Sequence, residues 1–199
     1  MCESRSSSNL LRIQRAEAVS TNASTEPCNG MRITVRPEQP EDADQVRRVN
    51  ELAFGRPHEA ALVDAVRGSA DTLSLVAVLG QQVVGHILFT AVWIERTDRT
   101  TAAVGLGPMA VLPEHQRRGV GSDLVRAGLD ACRRLGHAVV VVLGHPDYYP
   151  RFGFVPADEN GIRYEHPVPS DAFMVLELRT GAVARSGGVV RYRPEFAAV

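Results

Sequence analysis

Lysine is absent: the 22 lysine-plus-arginine positions of this 199-residue chain are all arginine, set against 23 carboxylates for a formal net charge of −1. That absence removes Schiff-base and pyridoxal-phosphate chemistry and the GxxxxGK[ST] phosphate loop, each of which needs an amine on a flexible stem. An arginine-only base set biases any anion site toward planar guanidinium forks or backbone N–H groups. Cysteine is scarce as well. Cys2, Cys28 and Cys132 show no C-x-x-C spacing, which argues against a disulfide framework or a zinc cluster and fits a reducing cytoplasm. Six histidines without H-x-x-x-H spacing give no metal site. The longest wholly apolar run, 138–143, is far below the roughly 18 residues of a bilayer-spanning helix. The balanced charge gives no electrostatic footprint for nucleic acid or an anionic membrane.

What is present is a core. Hydrophobic residues make up 44% of the chain, enough for one domain of ordinary size. Residues 1–30, rich in Ser, Thr and Asn without a sustained apolar period, read as a disordered tail, with Met31 as a natural start and 31–199 as a single domain. Within it, 33–36 alternates like a strand, a helix opens at Pro40-Glu41-Asp42 with Val46, Val49, Leu52 and Ala53 on one face, and a second helix covers 58–67. Segments 73–79 and 83–94 around Gly80-Gln81-Gln82 predict a hairpin, extended by a third strand over 101–112. A helix over 122–135 and a buried strand over 139–143 complete a βαβ unit. Beyond lie a turn at 147–152 and strands at 173–178 and 188–193.

The segment between third strand and helix carries the chemistry. In Leu112-Pro113-Glu114-His115-Gln116-Arg117-Arg118-Gly119-Val120-Gly121-Ser122 a strand ends and a helix starts on two closely spaced glycines. Gly119 and Gly121 let the backbone approach a ligand, the first N–H groups of the helix are unpaired, and Arg117 or Arg118 adds a fork. The bare pattern is common in a chain this rich in Arg and Gly; its place between an apolar strand and an amphipathic helix makes it informative. After the next strand comes Tyr148-Tyr149-Pro150-Arg151-Phe152-Gly153-Phe154.

On these two segments the chain resembles the GCN5-related N-acetyltransferases (GNAT), in their YhbS-like branch, over roughly 31–195. The resemblance implies an α/β acyl-CoA N-acyltransferase fold, a mixed and mainly antiparallel central sheet flanked by helices. It implies that Gln116, Arg117, Arg118, Gly119, Val120, Gly121 and Ser122 bind the pyrophosphate of acetyl-CoA, and that the main chain of Met109, Ala110 and Val111 holds the pantetheine arm like an added strand. Tyr149, four residues before Gly153, takes the place of a general acid toward the departing thiolate. The cosubstrate is then acetyl-CoA without a metal, and the acceptor a small-molecule or peptide amine; a homodimer is an open expectation.

Other roles stay open. Gly105 and Gly107 stand where relatives often project an acidic base, leaving His145, Asp147, Glu95, His86 or a water relay. Tyr148 competes with Tyr149, and Cys132 and Trp93 read as packing residues. The first two helices, the 54–59 connection and the 94–101 turn are expected to wall the acceptor site. Two rivals remain: a non-catalytic acyl-CoA-binding sensor or interaction module, and a dinucleotide-binding βαβ enzyme. The meander that precedes the glycine turn disfavours the second.

Overall fold

The β-branched and apolar segments pair into one nine-stranded mixed sheet in the computed structural model, which describes residues 32–183 and 187–198. The expected tail over 1–30 lies outside the described residues. Strands β1 (Ile33–Pro37), β2 (Thr72–Leu79), β3 (Gln82–Glu95) and β4 (Thr100–Val111) form an antiparallel meander. Helices α1 (Ala43–Phe54) and α2 (His58–Val66) lie between β1 and β2, and α3 (Val120–Arg134) crosses from β4 to β5 (Val139–Leu143). β4 and β5 are parallel, which is the pairing a helical crossover permits.

β8 (Phe173–Glu177) adds to β5 and carries the two-residue β6 (Val155–Pro156) on its far side. β7 (Ile162–Tyr164) pairs in parallel with β9 (Gly188–Arg191), and β9 attaches to the Trp93–Glu95 end of β3. β6 and β7 are strands without a sequence signal, because two or three residues cannot display a period. The mostly antiparallel order also removes the dinucleotide-binding alternative, which requires a doubly wound parallel sheet.

The two faces of the sheet are read along β3. An added Cβ at Gly85 would sit 3.0 Å from Leu124 of α3, whereas the next residue, His86, meets Asn50 of α1 at 3.1 Å. Alternation along a strand thus places α1 and α3 on opposite faces. On the α3 side Phe89 enters the space left by Gly128, where a Cβ would lie 2.2 Å from its ring. Leu124, Val125, Leu129 and Cys132 bury the same helix face, and burial pushes the Cys132 thiol up to about 12. Trp93 remains partly exposed on its strand.

One irregularity decides what the sheet can do. Ile87 opposes Met109 and Phe89 opposes Leu106, so Gly107 and Pro108 together face Leu88: a β-bulge in β4. Gly107 carries φ +146, a backbone state that suits glycine. A bulge bends its strand, and β4 stays paired with β5 only over Val104–Leu106 against Val140–Val142. Past the bulge Met109, Ala110 and Val111 pair with β3 alone, and the edge toward β5 opens.

Candidate active site

β4 ends where the Leu112 N–H donates to the Val84 carbonyl at 2.9 Å, and one turn of 3-10 helix, Pro113–His115, reverses the chain. Gln116 then reaches back, its side-chain amide donating to the Val111 carbonyl at 3.0 Å. Its side chain pins the loop to the strand, so what Gln116 offers a ligand is geometry. Arg117 at φ 58 and Gly119 at φ 90 both have left-handed backbone, the alternation that turns successive N–H groups into one concave surface. Gly119 caps α3 without a side-chain hydrogen bond, so the first N–H groups of the helix carry its positive dipole end outward. The helix begins two residues earlier than its apolar period indicates, because Gly119 is the cap and Val120 already packs beneath Gly85.

A cavity of about 1200 Å³ runs from this turn across the opening between β4 and β5. Of the predicted binding residues, Met109, Ala110, Val111, Gln116, Arg117, Gly119, Gly121 and Ser122 line it. Val120 is buried under the sheet instead, and Arg118 projects into solvent away from the lining. One end of the cavity therefore offers helix N–H groups and a guanidinium, and its length offers a free strand edge: features that suit an anion followed by an extended, hydrogen-bonding chain.

Both tyrosines after β5 face this cavity. Tyr149 is buried, its ring lying where a Cβ on Gly144 would come within 2.3 Å, edge-on to Phe154 and Tyr148. Burial, reinforced by neighbouring Tyr148, pushes its phenol above the ordinary tyrosine value, so it stays a neutral donor at any physiological pH. Tyr148 extends toward α3, its hydroxyl 2.8 Å from a Cβ built on Gly121, with the Arg151 guanidinium 4.7 Å over its ring.

The candidate bases separate. His145 and Asp147 line the cavity from exposed positions. Glu95 is drawn into an ion pair with Arg191 at 3.1 Å, outside the lining. His86 is sealed in the core, with Nδ1 3.1 Å from the Asn50 amide and Nε2 2.9 Å from Ser74 Oγ, whose hydroxyl in turn donates to Glu38. Burial first and the charge of Arg67 second lower the His86 imidazole to about 3, and it has no route to a substrate.

The 54–59 connection walls this cavity, as the sequence suggests, through Phe54, Arg56 and Glu59, whereas Tyr164, Tyr192 and Phe196 are lining residues that sequence reading missed. Glu59 on α2 is a buried carboxylate held by the Arg56 guanidinium, whose Nε donates to its two oxygens at 3.0 and 3.2 Å. Tyr164, Tyr192 and Phe196 form a chain of rings with centroids 5.5 and 5.1 Å apart. Gly105 held the available signal: a Cβ there would lie 2.7 Å from Tyr192, so the position where an acid was sought on β4 is filled by an aromatic ring from the chain's end. The 94–101 turn is likewise not a wall of this cavity; Arg99 and Thr101 border a separate, smaller hollow. Among the described residues no group of His, Cys, Asp and Glu is placed to hold a metal, and no helix is long and apolar enough to cross a membrane.

Comparison with known proteins supplies the context for this geometry. The acetyltransferase (GNAT) domain profile matches residues 34–157. The uncharacterized N-acetyltransferase YhbS of Escherichia coli strain K12 is 35% identical over 166 residues, covering 82% of this chain and 98% of its own. The uncharacterized N-acetyltransferase YjhQ of the same strain is 40% identical over 134 residues, 65% of this chain and 74% of its own. The crystal structure of Escherichia coli YhbS in complex with CoA superposes with a TM-score of 0.80 at 33% identity, covering 88% and 96% of the two chains. A Brucella melitensis GNAT family acetyltransferase in complex with acetyl-CoA gives 0.69 at 35% identity, with 83% and 99% covered. The profile, the near full-length identity and the shared fold agree, and the chain belongs to the GNAT family of N-acetyltransferases.

Proposed function

We propose that this protein transfers an acetyl group from acetyl-CoA to a primary amine, directly and in a single ternary complex. The observation that carries this reading is the continuity of one cavity from the uncapped N-terminus of α3, along the free edge of Met109–Val111, to Tyr149. CoA and acetyl-CoA are bound by the two similar structures named above, and this chain offers matching chemistry. Backbone N–H groups of 119–122 and Arg117 take the pyrophosphate, and the outward N–H and C=O groups of Met109 with the N–H of Val111, whose carbonyl is already held by Gln116, take the pantetheine amides.

The bond changes are simple. The ammonium acceptor loses one proton, the resulting amine nitrogen bonds to the thioester carbon, and as the adduct collapses the C–S bond breaks and the nitrogen loses its second proton; the departing thiolate takes up one proton, so that one proton is released overall. A backbone N–H near Val111 polarises the carbonyl. The Tyr149 hydroxyl donates a hydrogen bond to the departing sulfur. Because its phenol lies above the ordinary value and a free thiol titrates at about 8.5, the donated hydrogen bond, rather than an early proton transfer, is its contribution. His145, Asp147 or a water chain at the cavity mouth carries away the acceptor's proton.

Calorimetry with acetyl-CoA and free-thiol release across a panel of amines test the reading. Saturable binding with amine-dependent thiol release is expected. Binding without release on any amine would make the protein an acyl-CoA sensor instead.

A further inference from the structure

The end of the cavity remote from the phosphate turn is where, on the acetyl-transfer reading, the acceptor enters. Arg56, Glu59, Tyr164, Tyr192 and Phe196 meet there, brought together because the Pro194–Ala198 turn packs against α2. Among the described residues two carboxylates line the cavity, Glu59 and Asp147. Asp147 is exposed at the mouth, beside the tyrosine pair; Glu59 alone is buried.

A buried carboxylate on a cavity wall is costly unless something holds its charge. Arg56 does so from one side, through Nε and Nη2. Arg56 is half-exposed, so the pair has a wet cationic side and a dry anionic side. Aromatic rings line the same cavity: Tyr192, set into the space left by Gly105, lies edge-on to Tyr164 and tilted against Phe196, which sits on the turn packed against α2. Aromatic faces attract cations and hold flat apolar groups.

We infer that Glu59 is the acceptor-selecting residue: its carboxylate takes the ammonium of a primary monoamine whose carrier is aromatic or broadly apolar, held on the Tyr164, Tyr192 and Phe196 rings. The alternatives are handled differently by the same groups. A polyamine brings a second cation into a space that already contains Arg56, with no further buried anion to meet it. An α-amino acid carries a carboxylate two bonds from its ammonium, so binding that ammonium at Glu59 brings two carboxylates together in competition for Arg56.

The test uses the full chain, saturating acetyl-CoA, and thiol release with three probes: 2-phenylethylamine, spermidine and phenylalanine. A kcat/KM for 2-phenylethylamine at least tenfold above the other two is expected. In Glu59→Gln the KM for 2-phenylethylamine should rise at least tenfold with the Kd for acetyl-CoA unchanged, and Glu59→Asp, which keeps the charge, should recover part of it. Preference for spermidine or phenylalanine overturns the inference, as does a Glu59→Gln KM within threefold of the parent; both leave acetyl transfer standing. Acetyl-CoA binding without thiol release on any probe or on the wider amine panel overturns acetyl transfer itself, and the inference with it. Should Glu59→Gln fail to fold, the selectivity of the unaltered protein decides.

Discussion

At the residue scale, glycines record where other side chains have taken their room. Gly105→Ala would drive a methyl group into Tyr192 at 2.7 Å and Val92 at 2.9 Å. Overpacking of this kind costs about 1–3 kcal/mol, so a lower denaturant midpoint is expected, together with a raised acceptor KM as Tyr192 is displaced. Tyr149 gives a second prediction. Tyr149→Phe keeps the ring that packs on Phe154 and loses only the hydroxyl, so amine-dependent turnover should fall by about 100-fold or more while acetyl-CoA affinity by calorimetry changes little. Turnover equal to the parent at saturating acetyl-CoA would remove Tyr149 from the mechanism. Its phenol sits above the ordinary value and is therefore protonated throughout the accessible range, so kcat should show no alkaline loss from this group up to about pH 10. Gln116 teaches a related lesson. Its motif position promised a ligand contact, yet its side chain spends its amide on Val111.

At the scale of elements, two devices cooperate: the Gly107-Pro108 bulge that frees one edge of β4, and the uncapped start of α3. Neither alone makes a site. The bulge provides an edge whose hydrogen bonds need a partner, and the helix provides unpaired N–H groups at the point where that edge ends. Gly119→Ala tests the second device. Its left-handed cap at φ 90 disfavours a Cβ by about 1–2 kcal/mol, so both stability and acetyl-CoA affinity should drop. Arg117→Ala, in contrast, should weaken acetyl-CoA binding severalfold without altering the thermal midpoint, and the difference should shrink at high salt, because an exposed guanidinium acts through a screened charge. Calorimetry at two ionic strengths checks it.

At the scale of the whole molecule, the buried polar chain from Glu38 through Ser74 and His86 to Asn50 ties β1, β2, β3 and α1 together. His86 titrates near 3 when folded and near 6.5 when unfolded. The unfolded chain thus binds the proton first. This contribution to stability is intact above about pH 6.5 and is lost as pH falls toward 3, at up to about 1.4 kcal/mol per pH unit. Denaturant midpoints should be flat from pH 8 to 7 and decline between 6 and 5, above the range where Asp42, Glu165, Glu177 and Glu195, all lowered by their partners, begin to protonate. His86→Gln should flatten most of that slope, the remainder belonging to half-buried His137, which desolvation also lowers. A slope unchanged by the substitution would place the acid sensitivity elsewhere.

Local pattern in the chain specifies the elements long enough to show a period and the turn whose glycines and helix start are adjacent. The meander, the crossover helix and the loop over Gln116–Ser122 are local facts, fixed by side-chain alternation, a 3.6-residue stripe and the backbone freedom of two glycines. Features that depend on residues far apart emerge only on packing. β6 and β7 exist because neighbouring strands hold them. His86 cannot serve as a base because α1 and β2 bury it. The acceptor end joins Glu59 to Tyr192 and Phe196, more than 130 residues further along, through the packing of the Pro194–Ala198 turn on α2. A missing lysine restricts the cationic side chains that could meet an anion to arginine and histidine; only the packed chain shows which carboxylate ends up buried on the cavity wall.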